Sequence, residues 1–330
     1  MAHSTTELTP DIDAELGLEL YERMVLIRRF EDAVQALFQK GEVHGTTHLY
    51  SGQEAGAVGV CSVLTESDRV AGTYRGHGHA LALGVEPDAL MAELLGRETG
   101  VCAGRAGSMN VIDLEHGLIG CFGIVGGSIA AATGVALAFQ RRRTDDVAVA
   151  FFGEGTSNQA YFAECLNFAR VLGLPAVFVC ENNRYMEFTP IEDVTAGEIR
   201  ARAETLGLWA QTVDGMDVWA VRDAAQRAVE HARPGGGPAF LETLTYRFVG
   251  HSRSDPGAYR KPGELDEMRK RDPLVVARGR LAEAGVDDAQ LDATDARVAE
   301  RMAQVVEAAL DAPFPPADAP ASEYKDARAL

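Results

Sequence analysis

Val147-Ala148-Val149-Ala150-Phe151-Phe152-Gly153-Glu154-Gly155-Thr156-Ser157-Asn158, with Ala176-Val177-Phe178-Val179-Cys180-Glu181-Asn182-Asn183 downstream of it, decides the fold. Val147 to Phe152 is an uninterrupted apolar run with no polar face, as expected of a parallel strand buried on both sides. Asn158 to Leu172 reads as its crossover helix and Ala176 to Cys180 as the next strand. Trp209 to Val213 and Ala239 to Leu244 continue the pattern, separated by a helix from Val218 to Ala232. This alternation predicts an α/β fold built on a doubly wound parallel sheet.

Gly153-Glu154-Gly155 and Glu181-Asn182-Asn183 each follow the C-terminal end of a strand, the edge where open α/β sheets bind ligands. The glycines admit a close ligand, and the helix expected from Asn158 directs free N–H groups at the same place, which favours a phosphate. Glu154 and Asn183, 29 residues apart on neighbouring strand ends, offer a carboxylate and an amide oxygen to one hard cation. Mg²⁺ takes such ligands together with carbonyl and phosphate oxygens. A lone Gly-x-Gly after a strand is more often a plain tight turn than a site, and Asn-Asn alone is a loop. Together they predict a Mg²⁺-diphosphate site.

Outward from that centre, Leu16, Leu20, Met24, Ile27, Val34 and Phe38 recur at helical spacing, predicting a helix from Glu15 to Gln39 ended by Gly41. A second helix is expected from Gln53 to Leu64, and a strand from Arg69 to Tyr74 emptying into Arg75-Gly76-His77-Gly78. Pro87 opens another helix, running to about Gly96. Gly100 to Gly127 is a glycine-rich excursion long enough to suggest function. Ser128 to Gln140 is a small-residue helix suited to close packing on the sheet or another subunit. Charged helices follow at Glu264 to Lys270, Pro273 to Ala284 and Asp288 to Leu310. We expect a single domain over residues 1–330, with surface tails at 1–14 and 312–330.

The 31 basic and 49 acidic residues give a net charge of −18, which repels phosphate backbones, so nucleic acid is not an expected partner. No apolar run reaches membrane-spanning length. The first residues resemble neither a secretory nor a transit sequence, so a cytoplasmic location is expected. The five cysteines are odd in number and form no Cys-x-x-Cys pair, consistent with reduced thiols.

Gly153-Glu154-Gly155 through Asn182-Asn183 resembles the thiamine diphosphate motif, Gly-Asp-Gly followed at a distance by Asn-Asn. From about Leu20 to Leu310 the chain resembles the alpha subunit of the first, decarboxylating component of 2-oxoacid dehydrogenase complexes, in its pyruvate and acetoin branches. His48-Leu49-Tyr50-Ser51-Gly52-Gln53-Glu54-Ala55, Tyr74-Arg75-Gly76-His77-Gly78, Gly123-Ile124-Val125-Gly126 and Tyr246 to Pro256 carry the same resemblance, in the right order. It implies a thiamine diphosphate-binding fold, with thiamine diphosphate and Mg²⁺ as cofactors. Glu154, Asn183 and the Tyr185 carbonyl would hold the metal. Gly155, Thr156, Tyr74 and Arg75 would meet the diphosphate, Gly123 and Val125 the middle and aminopyrimidine of the cofactor. His48 and His251 would face the reacting carbon and the incoming lipoyl group, as groups whose ordinary pKa suits proton transfer at neutral pH.

The implied reaction is decarboxylation of a 2-oxoacid, pyruvate first, or cleavage of acetoin, with acyl transfer to a lipoyl carrier. The implied partners are a beta subunit, in a heterotetramer of two alpha and two beta chains, and the lipoyl acyltransferase component. The activating glutamate belongs to the beta chain. The 330 residues hold one diphosphate-binding unit and leave no pyrimidine-binding half, so half of an active site is expected. The small-residue helix from Ser128 and the C-terminal helices are the candidate interfaces.

Two departures stand out. Glu154 replaces the usual Asp, as in the branched-chain branch, so the strand end or loop must adjust, and the metal site is expected to survive. Val249-Gly250-His251-Ser252 stands where mitochondrial pyruvate subunits carry His-Gly-His-Ser, and of the two histidines only the second, His251, is matched. Ser252 and Ser254 are read as loop residues, without regulation. Gly41 to Gln53 and Phe188-Thr189-Pro190 to Ala196-Gly197 are similar to the acetoin branch. The competing readings are a branched-chain alpha subunit, a non-catalytic cofactor-binding module, and a nicotinamide dehydrogenase. The last is disfavoured because Gly123 to Gly127 lacks Gly-x-Gly-x-x-Gly and no clean apolar strand is expected before it.

Overall fold

A computed structural model describes residues 12–317. Most of both expected tails, residues 1–11 and 318–330, lies outside the described residues. In chain order the helices are α1 (Ala14–Gln39), α2 (Glu54–Cys61), α3 (His77–Ala82), α4 (Pro87–Leu94), α5 (Gly127–Arg142), α6 (Ala160–Leu172), α7 (Ile199–Thr205), α8 (Val218–His231), α9 (Glu264–Arg269), α10 (Pro273–Glu283) and α11 (Asp288–Asp311). The strands are β1 (Arg69–Thr73), β2 (Leu118–Phe122), β3 (Ala148–Gly153), β4 (Ala176–Asn182), the two-residue pair β5 (Tyr185–Met186) and β6 (Thr189–Pro190), β7 (Trp209–Asp214) and β8 (Ala239–Leu244).

Six strands form one sheet in the order β2-β1-β3-β4-β8-β7, every pair parallel. After β1 the chain goes to one side for β2 and to the other for β3. The strand order therefore reverses at β1, and a crevice opens there above the C-terminal ends. Alternation along the strands separates two cores. Val149, Phe151, Val177, Val179 and Leu241 face α1, α2, α8 and the C-terminal helices. Ala148, Ala150, Phe152, Phe178 and Phe240 face α5, α6 and α7. Helices on both faces explain why the strands carry no polar side.

The expected doubly wound sheet is present, with three local differences. Leu118–Phe122 is a parallel edge strand inside the stretch expected to be excursion, so the segment before Gly123 is a strand after all. Its central Gly120 lowered the strand signal; there φ is +157°, a conformation that residues with a Cβ rarely adopt. His77–Ala82 is a buried short helix too brief to show periodicity. The helix after the glycine motif starts at Ala160, because Glu154–Asn158 forms a 3₁₀ turn.

α5 packs on β1 and β3, leaving Ala130, Gly134 and Ala138 on its outer side. The C-terminal helices bury their apolar faces within the chain: Leu291, Val298, Met302, Val305 and Ala309 of α11 enter the core, and Asp287 with Gln290 forms a capping box at its start. Among the described residues of α9 to α11, Val275 is the only large apolar side chain left exposed, which removes these helices as an apolar interface. Among the described residues, no helix is long and apolar enough to cross a membrane.

Candidate active site

A cavity of about 350 Å³ opens at the strand-order reversal and collects residues that are far apart in sequence. β1 delivers Tyr74 and Arg75, β2 delivers Gly123 and Val125, and β3 delivers Glu154, Gly155 and Thr156. β4 delivers Asn183 and Tyr185, and the loop after β8 delivers His251. His48 arrives on the α1–α2 loop. All eleven expected site residues line this one cavity.

The Glu154 carboxylate is buried and accepts the Asn183 backbone N–H through Oε2 at 3.1 Å. Asn183 Oδ1 accepts the Tyr185 N–H at 3.3 Å, closing an Asx turn that presents the β4 end to the cavity. Burial pushes the Glu154 pKa up to about 7, against opposing backbone hydrogen bonds and the more distant Arg247 and Arg75. The groups gathered here, a carboxylate, an amide oxygen and main-chain carbonyls, have the chemistry of a Mg²⁺ donor set. Among the described residues no cluster of three His, Cys, Asp or Glu side chains could hold a metal, so a metal here depends on such a mixed set plus ligand oxygens.

Glycine keeps the backbone beside the cavity free of side chains. A Cβ on Gly155 would approach Met186 Cγ to 2.8 Å, whereas one on Gly153 would meet nothing within 4 Å. Two buried polar atoms on the cavity wall, His48 Nδ1 and Gln53 Nε2, have no partner within the chain. Such atoms are costly unless a ligand or water satisfies them. These features fit a bound diphosphate cofactor with its metal.

His48, Tyr74 and His251 form a ring cluster, with centroids 4.5 Å (His48–Tyr74), 5.0 Å (His48–His251) and 5.8 Å (Tyr74–His251) apart. Burial, then Arg75, lowers the His48 pKa to about 3, and the same two causes, joined by Arg247, lower that of His251 to about 4. Both imidazoles are therefore neutral near pH 7 in the isolated chain. The ordinary histidine pKa assumed from sequence does not survive burial beside two guanidiniums. Arg75 is itself buried, which pulls its pKa down to about 10. It donates to the carbonyls of Leu49 (2.5 Å) and His251 (2.9 Å), so it ties both histidine-bearing loops together at the cavity floor.

Sequence reading missed several residues here. Arg247 is fully buried, lines the cavity, and donates to the Glu187 carbonyl at 2.9 Å and the Tyr259 hydroxyl at 2.5 Å. Glu181 lines it too, accepting from Tyr50 Oη and from His79 Nε2, the latter at 3.1 Å. That settles His79 as a structural residue, stacked on Phe151. His77 is likewise structural, held between Glu31 (3.1 Å) and Ser108 (2.9 Å). The available signal for Arg247 was its position, three residues beyond the last sheet strand. The glycine-rich excursion is held by Glu93, whose carboxylate accepts the N–H groups of Cys102, Gly104, Ala106 and Gly107 at 2.7–3.1 Å. Beyond it, Met109 forms part of the cavity wall.

The profile of the dehydrogenase E1 component matches residues 22–318. The chain belongs to the dehydrogenase E1 component family. Over 303 residues it is 43% identical to the alpha subunit of an acetoin:2,6-dichlorophenolindophenol oxidoreductase of Bacillus subtilis, covering 91% of each chain. It is 41% identical to the pyruvate dehydrogenase E1 alpha subunit of Rhizobium meliloti, covering 92% of this chain and 88% of that one. It is also 41% identical to a chloroplastic pyruvate dehydrogenase E1 alpha-3 subunit of Arabidopsis thaliana, covering 94% and 75%. As a dehydrogenase E1 alpha subunit it is part of a thiamine diphosphate- and divalent metal-dependent oxidoreductase, and it has a beta subunit as partner. The resemblance read from the sequence is borne out at the level of family, fold and cofactor.

Proposed function

We propose that this alpha subunit contributes the diphosphate- and metal-binding half of an active site whose substrate yields a two-carbon acyl unit, from pyruvate or from acetoin. The observation that carries this reading is the convergence of four neighbouring strand ends on one cavity containing a buried carboxylate beside an amide oxygen. When bound, thiamine diphosphate supplies a nucleophilic carbon and an electron sink. Glu154, Asn183 and the Tyr185 carbonyl hold Mg²⁺. Gly155 and Thr156 meet the diphosphate through main chain, Tyr74 and Arg75 through side chains, and Gly123 and Val125 bear on the rest of the cofactor. His48 and His251 face the reacting carbon and donate hydrogen bonds as neutral imidazoles.

The beta subunit completes the site by covering its mouth. Ile124 is 73% exposed, Val125 40% and Phe188 50%, an apolar rim that a lone chain has no reason to expose. It continues onto Tyr161, Phe168 and Val171 of α6 and the small-residue stripe of α5. Two such alpha chains with two beta chains, acting in the cytoplasm and passing the acyl group to a lipoyl acyltransferase, complete the reading.

The test is co-expression with the beta chain, then reduction of an artificial acceptor by pyruvate, acetoin and branched 2-oxoacids. Turnover of pyruvate or acetoin supports the proposal. Turnover of branched 2-oxoacids alone assigns the branched-chain alternative, and turnover of none assigns a non-catalytic module.

A further inference from the structure

Three carboxylates line the cavity: Glu154, Glu181 and Glu187. The first two are buried and hydrogen-bonded. Glu187 is different. It occupies the tip of the β5–β6 hairpin, where the register Tyr185↔Pro190 and Met186↔Thr189 leaves Glu187 and Phe188 as the two turn residues. Its φ of +54° is left-handed, an unfavourable conformation for a glutamate that persists only where the surroundings impose it. Those surroundings are visible. Arg247 Nη2 donates to the Glu187 carbonyl at 2.9 Å, and the Phe188 ring lies 6.1 Å from His251 and 5.6 Å from Tyr259. The hairpin tip is thereby fixed to the wall that carries His251. The Glu187 carboxylate itself has no hydrogen bond or ion pair among the described residues.

The two substrates of the proposed reaction yield the same two-carbon unit but differ in charge: pyruvate is an anion and acetoin is neutral. The cavity's guanidiniums are engaged with main-chain carbonyls, Arg75 with Leu49 and His251, and Arg247 with Glu187 and Val249. The two histidines carry no charge near neutral pH. A bound diphosphate would add negative charge to the same space, offset in part by its Mg²⁺. A substrate carboxylate entering past the hairpin thus meets a carboxylate that no side chain among the described residues pairs, while Arg75 and Arg247 are held against main-chain carbonyls.

We propose that the Glu187 carboxylate biases this site towards a neutral 2-hydroxyketone and against an anionic 2-oxoacid. The inference rests on the reading of the cavity as the two-carbon acyl site, and discrimination comes from repulsion of the wrong substrate. Like charges sharing a partly solvated cavity give discrimination on the order of tenfold.

The experiment compares kcat/KM for acetoin and for pyruvate in the assembled alpha–beta complex of the wild type, Glu187→Gln and Glu187→Asp. The expected result is a pyruvate-to-acetoin ratio raised about tenfold in Glu187→Gln and close to wild type in Glu187→Asp, which keeps the charge. Raising ionic strength should lift the ratio in the wild type and leave it flat in Glu187→Gln, since salt screens an exposed charge. A ratio unchanged in Glu187→Gln, or equal changes in the Gln and Asp variants, would overturn the proposal. A wild-type complex that turns over neither substrate sinks the functional reading instead, so the two failures are distinct.

Discussion

Glu154 Oε2 accepts the backbone N–H of Asn183 at 3.1 Å, a bond that joins the ends of adjacent parallel strands β3 and β4 across the mouth of the cavity. The two motifs that are 29 residues apart in sequence are thereby one unit. The glutamate side chain reaches across from a 3₁₀ turn that follows β3. The carboxylate proposed as metal ligand is thus held in place by main chain.

That geometry makes metal binding compete with a proton. With its pKa raised to about 7, Glu154 in the free chain is largely protonated below neutrality. The Mg²⁺ affinity measured by calorimetry with thiamine diphosphate present should fall by up to about tenfold per pH unit below 7, as one linked proton requires. Glu154→Ala should abolish Mg²⁺-dependent cofactor binding, and unchanged affinity would refute the metal assignment. The stability sign is the opposite. A carboxylate raised on folding stabilises most below its unfolded pKa, and that contribution disappears as pH rises from about 4.5 to about 7, a loss of about 3 kcal/mol. In metal-free denaturant titrations at pH 8, Glu154→Gln should therefore be the more stable protein.

His48 and His251 have pKa values lowered to about 3 and about 4. The folded chain thus binds fewer protons than the unfolded one between these values and about 6.5. Stability should fall as pH drops through that window, and His48→Gln should flatten the dependence. Imidazole carbon resonances followed by NMR from pH 5 to 8 should show no titration at either residue. A midpoint near 6.5 would restore the proton-transfer role that their residue type suggests.

The fold was legible because β3 and β4 are uninterrupted apolar runs and each empties into a polar motif. Their C-terminal ends could be placed on one edge before any coordinates. β2 escaped because Gly120 and the surrounding glycines mask a five-residue edge strand, and α3 because six residues do not complete two helical turns. The site residues on strand ends were readable, since a strand end fixes position. Arg247, Gln53 and Glu187 were not, because their relation to the cavity depends on how the loops after β8, α1 and β4 fold back. The burial that shifts the histidines likewise comes from tertiary packing, which no spacing encodes.

Glu93 gathers four amide N–H groups onto one carboxylate, and this is the main order in residues 100–107. A glutamine keeps the shape but replaces one acceptor oxygen with a donor, leaving two half-buried N–H groups facing an NH₂. Glu93→Gln should cost about 2–4 kcal/mol, seen as a lower midpoint in denaturant, and should expose the glycine-rich segment to protease cleavage. An intact segment with unaltered stability would show that the turns hold without the carboxylate.

Arg247 is the largest fully buried side chain and the link between the two loops that flank His251. Its guanidinium reaches the carbonyls of Glu187 and Val249 and the Tyr259 hydroxyl. Tyr259 in turn donates to Asp255, which accepts the His251 N–H at 2.6 Å. Lysine retains the charge but not the planar fork, so it cannot serve these diverging acceptors together. Arg247→Lys should destabilise the chain by about 1–3 kcal/mol through unsatisfied buried acceptors. Its larger effect should be on the hairpin. With the Glu187 carbonyl released, the left-handed tip can relax, and the preference between acetoin and pyruvate should weaken in the same direction as in Glu187→Gln. Equal losses of kcat/KM for both substrates would instead mean that Arg247 serves only the shared cofactor geometry.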